Sequence, residues 1–161
     1  MKTDKAGSHL PLLKKIANKK HICRVIEFGS GYFSTGCFLD KNIFKYLEIL
    51  VSFESQKEWY DKVYSRLKEE RLVLIHKNEQ ESLDLSLQYA PVDLVFVDGK
   101  SGKMRVPTAL YSKKLSNITV LHDANDNDYK EAISSFRYKY IYKKIKPHTA
   151  VLSDSDNLLW L

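Results

Sequence analysis

Apolar residues along this chain gather in short unbroken runs, separated by stretches where they recur every three or four positions. The runs are "CRVIEFG", "YLEILVSFE", "RLVLIH", "VDLVFVD" and "ITVLHD". Strands without polar alternation belong in a parallel sheet covered on both faces. Between them the pattern turns helical. "HLPLLKKIANKK" puts Leu10, Leu13 and Ile16 on one side, and "SQKEWYDKVYSRLKEE" repeats Trp59, Val63 and Leu67 behind a capping box of Ser55 and Glu58. Further helices are predicted from Tyr32 to about Leu39, over Pro107–Leu115, and in "DYKEAISSFRYKY", where Tyr129, Ala132, Ile133 and Phe136 share a face. "YIYKKIK" and "LLWL" read as two closing strands with "SDSDN" as a turn between them. Strand–helix alternation predicts an α/β fold in one domain over residues 1–161, with an N-terminal helix in 1–22 and the sheet-bearing core in 23–161.

In such sheets a ligand sits at the carboxyl ends of the strands. Read in order, those ends are Glu27, Glu54, His76 to Asn78, Asp98, and His122 with Asp123. A buried strand gains no stability from a terminal carboxylate, so the recurrence of acids at these ends points to a site.

"VIEFGSGYFS" carries the first of them. Gly29 can adopt backbone angles closed to other residues, Gly31 lets a ligand approach the main chain, and the helix that follows directs free N–H groups at an anion. A dinucleotide fold would place a third glycine where Ser34 stands. Alone, "GSG" fits a plain strand-to-helix turn equally well. Glu54 ends the second strand where an acid can accept from both hydroxyls of a ribose, although it could also be a solvated residue ahead of a helix. Together these features favour a nucleoside ligand without a pyrophosphate, which S-adenosylmethionine satisfies.

"VIEFGSGYFS", "LVSFES", "DLVFVDG" and "VLHDAND" resemble the successive motifs of class I S-adenosylmethionine-dependent methyltransferases, from about Cys23 to Leu161. The resemblance implies a Rossmann-like, mostly parallel seven-stranded sheet whose last strand is antiparallel. It implies that Glu27, Gly29, Ser30 and Gly31 surround the methionine portion of the cofactor, with Ser34 and Asp98 beside them. Glu54 and Ser55 would lie at the ribose, and Asn78 or Glu79 near the adenine. "VDGKSGKMRVPTALYS" followed by "VLHDANDNDY" is similar to catechol-type and macrolide-sugar O-methyltransferases, and to the glucuronoxylan methyltransferases. In the former, acids at these two strand ends bind a metal. That implies Asp98 and Asp123 as ligands for magnesium, manganese or calcium, though Ala124 intervenes before Asn125 where those enzymes have the asparagine directly.

The implied reaction is methylation of a hydroxyl on a small molecule or saccharide. Asp98, His122, Asp123 and Lys100 are the candidate catalytic residues. The ordinary pKa of His122 suits a general base at neutral pH; the other reading is a structural histidine bonded to the backbone. Asp98 and Asp123 could equally cap local turns. Lys100 reads more simply as a loop charge. His9, His21 and His148 are assigned to the surface and Trp160 to the core.

Charge changes this picture little. The net charge of +6 concentrates at the two ends, around Lys14–Arg24 and Arg137–Lys146. No aromatic-basic motif accompanies it, so solvated helix faces and a lysine-guarded edge strand explain it better than a nucleic-acid surface. Two rivals remain: a nucleic-acid methyltransferase, supported only by those basic ends, and a domain that binds the cofactor and docks a partner without catalysis. Cys23 and Cys37 lack metal or redox spacing and read as buried free thiols. No run approaches the ~20 apolar residues of a membrane span, and the N-terminus has no signal-peptide pattern; a cytoplasmic location is expected.

Overall fold

Neighbouring residues of each central strand face opposite sides of one sheet, and each side buries its own apolar cluster. The computed structural model describes residues 7–99 and 104–161. Its strands are β1 Arg24–Phe28, β2 Ile49–Glu54, β3 Leu72–His76, β4 Leu94–Val97, β5 Thr119–His122, β6 Tyr138–Tyr142 and β7 Thr149–Ser153. They form a seven-stranded sheet in the order β3-β2-β1-β4-β5-β7-β6. The first five are parallel, and β7 runs antiparallel to both of its neighbours. This is the α/β architecture the apolar runs predict.

The helices are α1 Leu10–Lys19, α2 Ser34–Leu39, α3 Lys57–Arg66, α4 Glu79–Ser86, α5 Arg105–Tyr111 and α6 Lys130–Ser135. Ile26, Val51, Val95 and Leu121 point to the side where α4, α5 and α6 supply Leu83, Ala109 and Ile133. Val25, Leu50, Leu94, Phe96 and Val120 point to the other, against Leu12, Leu13 and Ile16 of α1 and Phe38 of α2. The strict side-chain period of two explains why continuous apolar runs were needed: apart from the first residues of β1 and β2, every position on β1, β2, β4 and β5 is buried.

Several sequence expectations need correction. The closing strand is "TAVLS", buried at all five positions, and "LLWL" is a terminal turn. Trp160 is half-buried and donates to Asp156 (2.8 Å). The last helix stops at Ser135 because the chain re-enters the sheet at Tyr138. Gln56 occupies the N-cap of α3 without a side-chain bond, while Ser55 donates to Glu79 (3.1 Å) instead of forming the expected box. The capping box belongs to α4, where Asn78 and Glu81 each satisfy the other's backbone N–H. Both cysteines are free, but only Cys37 is fully buried. Burial pushes its thiol up to about 12. Among the described residues no helix is long and apolar enough to cross a membrane.

Candidate functional site

Glu27, Glu54, Asp98, His122 and Asp123 come together along the carboxyl edge of β1, β2, β4 and β5, in two layers. Glu27 forms the lower one. Flanked by Ile26 and Phe28, which enter one cluster, it points to the opposite face and is fully buried. Its Oε2 accepts from the hydroxyls of Thr35 (2.6 Å) and Ser52 (2.5 Å). Thr35 Oγ1 in turn accepts from the Gly31 N–H (2.9 Å). Glu27 therefore ties the glycine turn to β2. Burial pushes its carboxyl up to about 7, with the surrounding hydroxyls pulling the other way.

The two glycines do different work. Gly29 has φ +94°, and a Cβ there would lie 2.4 Å from the backbone nitrogen of Gly99. The turn after β1 and the chain leaving β4 thus pass too close for any side chain. Gly31 has no such restriction: the nearest atom to a Cβ there is Ser34 Oγ at 3.6 Å. Among the described residues no atom requires glycine at 31. Ser34 is the buried first residue of α2.

Glu54 is buried at the end of β2 and lines two adjoining clefts. Its Oε1 accepts from the Gln56 N–H (2.8 Å) and its Oε2 from Ser30 Oγ (3.2 Å), with the backbone N–H groups of Ser55 and Ser30 also directed at the carboxylate. Burial raises its pKa, partly offset by those donors. The inner cleft runs between Phe53, Ser55, Glu79 and Met104; the outer one lies between Ser30, Trp59, Lys62 and Asp98. Trp59 Nε1 donates to the Ser30 carbonyl, and its ring leans on Tyr32 at 5.2 Å between centroids. Asn78 lines neither cleft, since its side chain caps α4.

The upper layer is an ion-pair network. Arg105, only 6% exposed, reaches Asp98 Oδ1 (3.0 Å) and Asp123 Oδ2 (2.6 Å) and donates from Nε to the Gly99 carbonyl (2.9 Å). Asp123 adopts φ +58° directly after β5. Two carboxylates expected to share a metal ion share a guanidinium instead, which satisfies the same electrostatic demand. Asn125, the remaining residue of the implied metal set, accepts from the His148 N–H (2.7 Å). His122 is buried, with Nδ1 on Asp98 Oδ1 (2.9 Å) and Nε2 on Ser8 Oγ (2.9 Å), so neither ring nitrogen is open to a cleft. Lys100 falls outside the described residues.

Sequence reasoning passed over three residues here. Arg105 sits in "MRVPT" with no motif around it. Ser8 lies at the start of the chain, far from any strand end. His9, expected at the surface, is 1% exposed beneath Phe96 (5.1 Å between centroids) and edge-on to His122 (4.8 Å). Neither of its ring nitrogens has a hydrogen-bond partner among the described residues. Burial first, and then His122, lower its pKa to about 3. Only a histidine next to an amphipathic helix was visible in the sequence, and that pattern does not say which side of the chain the ring takes.

No family model matches the sequence, and no curated protein does. Solved structures do. Spermidine synthase from Thermotoga maritima is 11% identical with a TM-score of 0.59, the alignment covering 96% of this chain and 59% of that one. An O-methyltransferase from Bacillus cereus in complex with SAH is 16% identical (TM-score 0.66; 94% and 81% covered). The O-methyltransferase TomG from Streptomyces achromogenes, involved in tomaymycin synthesis and solved with SAM, is 18% identical (TM-score 0.61; 92% and 79% covered). The chain thus spans less than two thirds of the length of the spermidine synthase. The fold is the Rossmann-like fold of class I methyltransferases.

Proposed function

We propose that this chain binds S-adenosylmethionine and transfers its methyl group to a hydroxyl oxygen of a small molecule or saccharide. The observation that carries the reading is Glu54: a buried carboxylate at the end of β2 that faces both clefts. A carboxylate's two oxygens offer about four acceptor sites, and the side that faces the clefts is the one a ribose's hydroxyls would reach. The open space beside Gly31 supports the same placement for the amino-acid portion, and the inner cleft, with Phe53, Ser55 and Glu79, suits an adenine.

The bound cofactor supplies an electrophilic sulfonium methyl. The remaining work falls to the chain. Gly29 and Glu27 hold the turn, Glu54 orients the ribose, and the outer cleft positions the acceptor against the methyl, the proximity that dominates such a displacement. Asp98 is the carboxylate of the upper layer that lines the outer cleft, beside Arg105, so it accepts the acceptor's proton. His122 stands behind it, bonded to the same carboxylate. Asp123 acts through Arg105, which it helps to hold. A divalent cation on Asp98 and Asp123 does not fit this arrangement, because Arg105 lies between them.

Titration calorimetry tests the reading. S-adenosylmethionine and its demethylated product should bind, and NAD should not. Loss of two charge-assisted hydrogen bonds in Glu54→Ala should weaken binding by ~2–4 kcal/mol. Tighter binding of NAD than of S-adenosylmethionine overturns it.

A further inference from the structure

The structure brings His9, Asp98 and His122 together, and we infer that these three residues form a binding site for a first-row divalent transition metal of the zinc type. His9 enters from the N-cap of α1, Asp98 follows β4, and His122 ends β5. One ligand atom from each lies within 4.8 Å of the other two. Metal bonds to imidazole nitrogen and carboxylate oxygen measure about 2.0–2.2 Å, so three ligands on one ion lie about 3.3–3.6 Å apart. Binding an ion would draw the widest pair together by about 1 Å, through side-chain torsion.

Three observations beyond proximity point to a ligand. His9 is 1% exposed, yet both of its ring nitrogens lack a partner among the described residues. Buried polar atoms are nearly always bonded, so an imidazole wedged between Phe96 and His122 with two nitrogens unbonded among the described residues calls for a partner. The second observation is the orientation of His122. Ser8 Oγ donates to the Pro147 carbonyl (2.8 Å), so it accepts from His122 Nε2 (2.9 Å). That leaves Nδ1 to face Asp98 and an ion, and outer hydrogen bonds of this kind are how metal-binding histidines are held. The third is Asp98, whose Oδ1 meets both His122 and Arg105, so that its carboxylate lies beside both imidazoles while its second oxygen has no bond to either.

Two imidazoles and one carboxylate select zinc and its transition-metal neighbours over magnesium or calcium, which prefer all-oxygen sites. The site therefore differs in ligands and in metal class from the oxygen pair implied by the sequence. It ties α1 to the ends of β4 and β5, and it does not depend on methyl transfer being the reaction.

The test is calorimetric titration of chelator-treated full-length protein with zinc, together with X-ray absorption of the zinc-loaded sample. One equivalent should bind, with two imidazoles in the first coordination sphere. His9→Phe keeps a ring against Phe96 and His122 while removing the ligand atoms, and should weaken binding at least 100-fold. His21→Ala, at an exposed histidine stacked on Tyr46, should leave it unchanged. A folded His9→Phe that binds zinc as tightly as the parent overturns the site. So does a wild-type spectrum without imidazole scattering, which decides the matter even if the variant fails to fold.

Discussion

The guanidinium of Arg105 lies 3.0 Å from the carboxylate of Asp98, and that contact sets the electrostatics of the whole upper layer. The same side chain holds Asp123, so two acids at neighbouring strand ends share one guanidinium. Arg105→Met removes the guanidinium that bridges them and leaves, among the described residues, only the His122 ring, 2.9 Å from Asp98 and 3.6 Å from Asp123. Breaking a buried ion pair by removing one partner costs about 3–5 kcal/mol. Urea denaturation should show a loss of that order, and magnesium or calcium should restore part of it in the variant but not in the parent. Unchanged stability in Arg105→Met would show that the network is not structural.

The two glycines of the turn should separate fold from ligand. Gly29→Ala forces a side chain into φ +94° and into the backbone of Gly99, which cannot yield as a flexible side chain would. A loss of at least about 2 kcal/mol, or failure to fold, is expected. Gly31→Ala meets only Ser34 Oγ at 3.6 Å. It should melt close to the parent while binding S-adenosylmethionine more weakly. Equal effects of the two substitutions on melting would contradict the assignment of their roles.

Glu27 makes stability depend on pH in a known direction. Its folded pKa, about 7, exceeds the ordinary 4.5, so the folded chain takes up a proton more readily than the unfolded one. Its contribution therefore becomes more favourable as pH falls from about 7 towards about 4.5. Above that window it is a standing cost of about 3 kcal/mol, at about 1.36 kcal/mol per unit. Glu27→Gln should be more stable than the parent at about pH 8 and should lose the gain on acidification. Identical pH profiles for the two proteins would place the proton elsewhere.

Chemistry should follow the cleft-facing member of the relay. With vicinal diols, catechols and uronic-acid saccharides as acceptors, Asp98→Asn should lower turnover by about 10²- to 10⁴-fold, the usual share of a general base. His122→Ala should lower it less and change its pH profile, because that ring acts through Asp98. Full activity of both variants on a working acceptor would remove the pair from the mechanism.

The strand runs, their order as an α/β alternation and the acids at their ends were legible because they depend on neighbours in sequence. A run such as "VDLVFVD" can only be a strand buried on both faces, and its last residue must then emerge at the sheet edge with Asp98. The glycine turn was equally local: Gly29 has the positive φ that the pattern asks for. What sequence could not supply was anything set by contacts across the fold. "TAVLS" became the closing strand in place of "LLWL" because it completes the sheet beside β5, a choice made by pairing rather than by propensity. Arg105 met both acids only once α5 was docked. Ser8 and His9 reached His122, more than a hundred positions away, only when α1 packed on the sheet face that holds Phe96. The chain's local pattern determined the frame and the position of its carboxylates. The partners of those carboxylates, and so the chemistry open to them, were decided by tertiary packing, because Coulombic and hydrogen-bond energies depend on distance in space and not on separation along the chain.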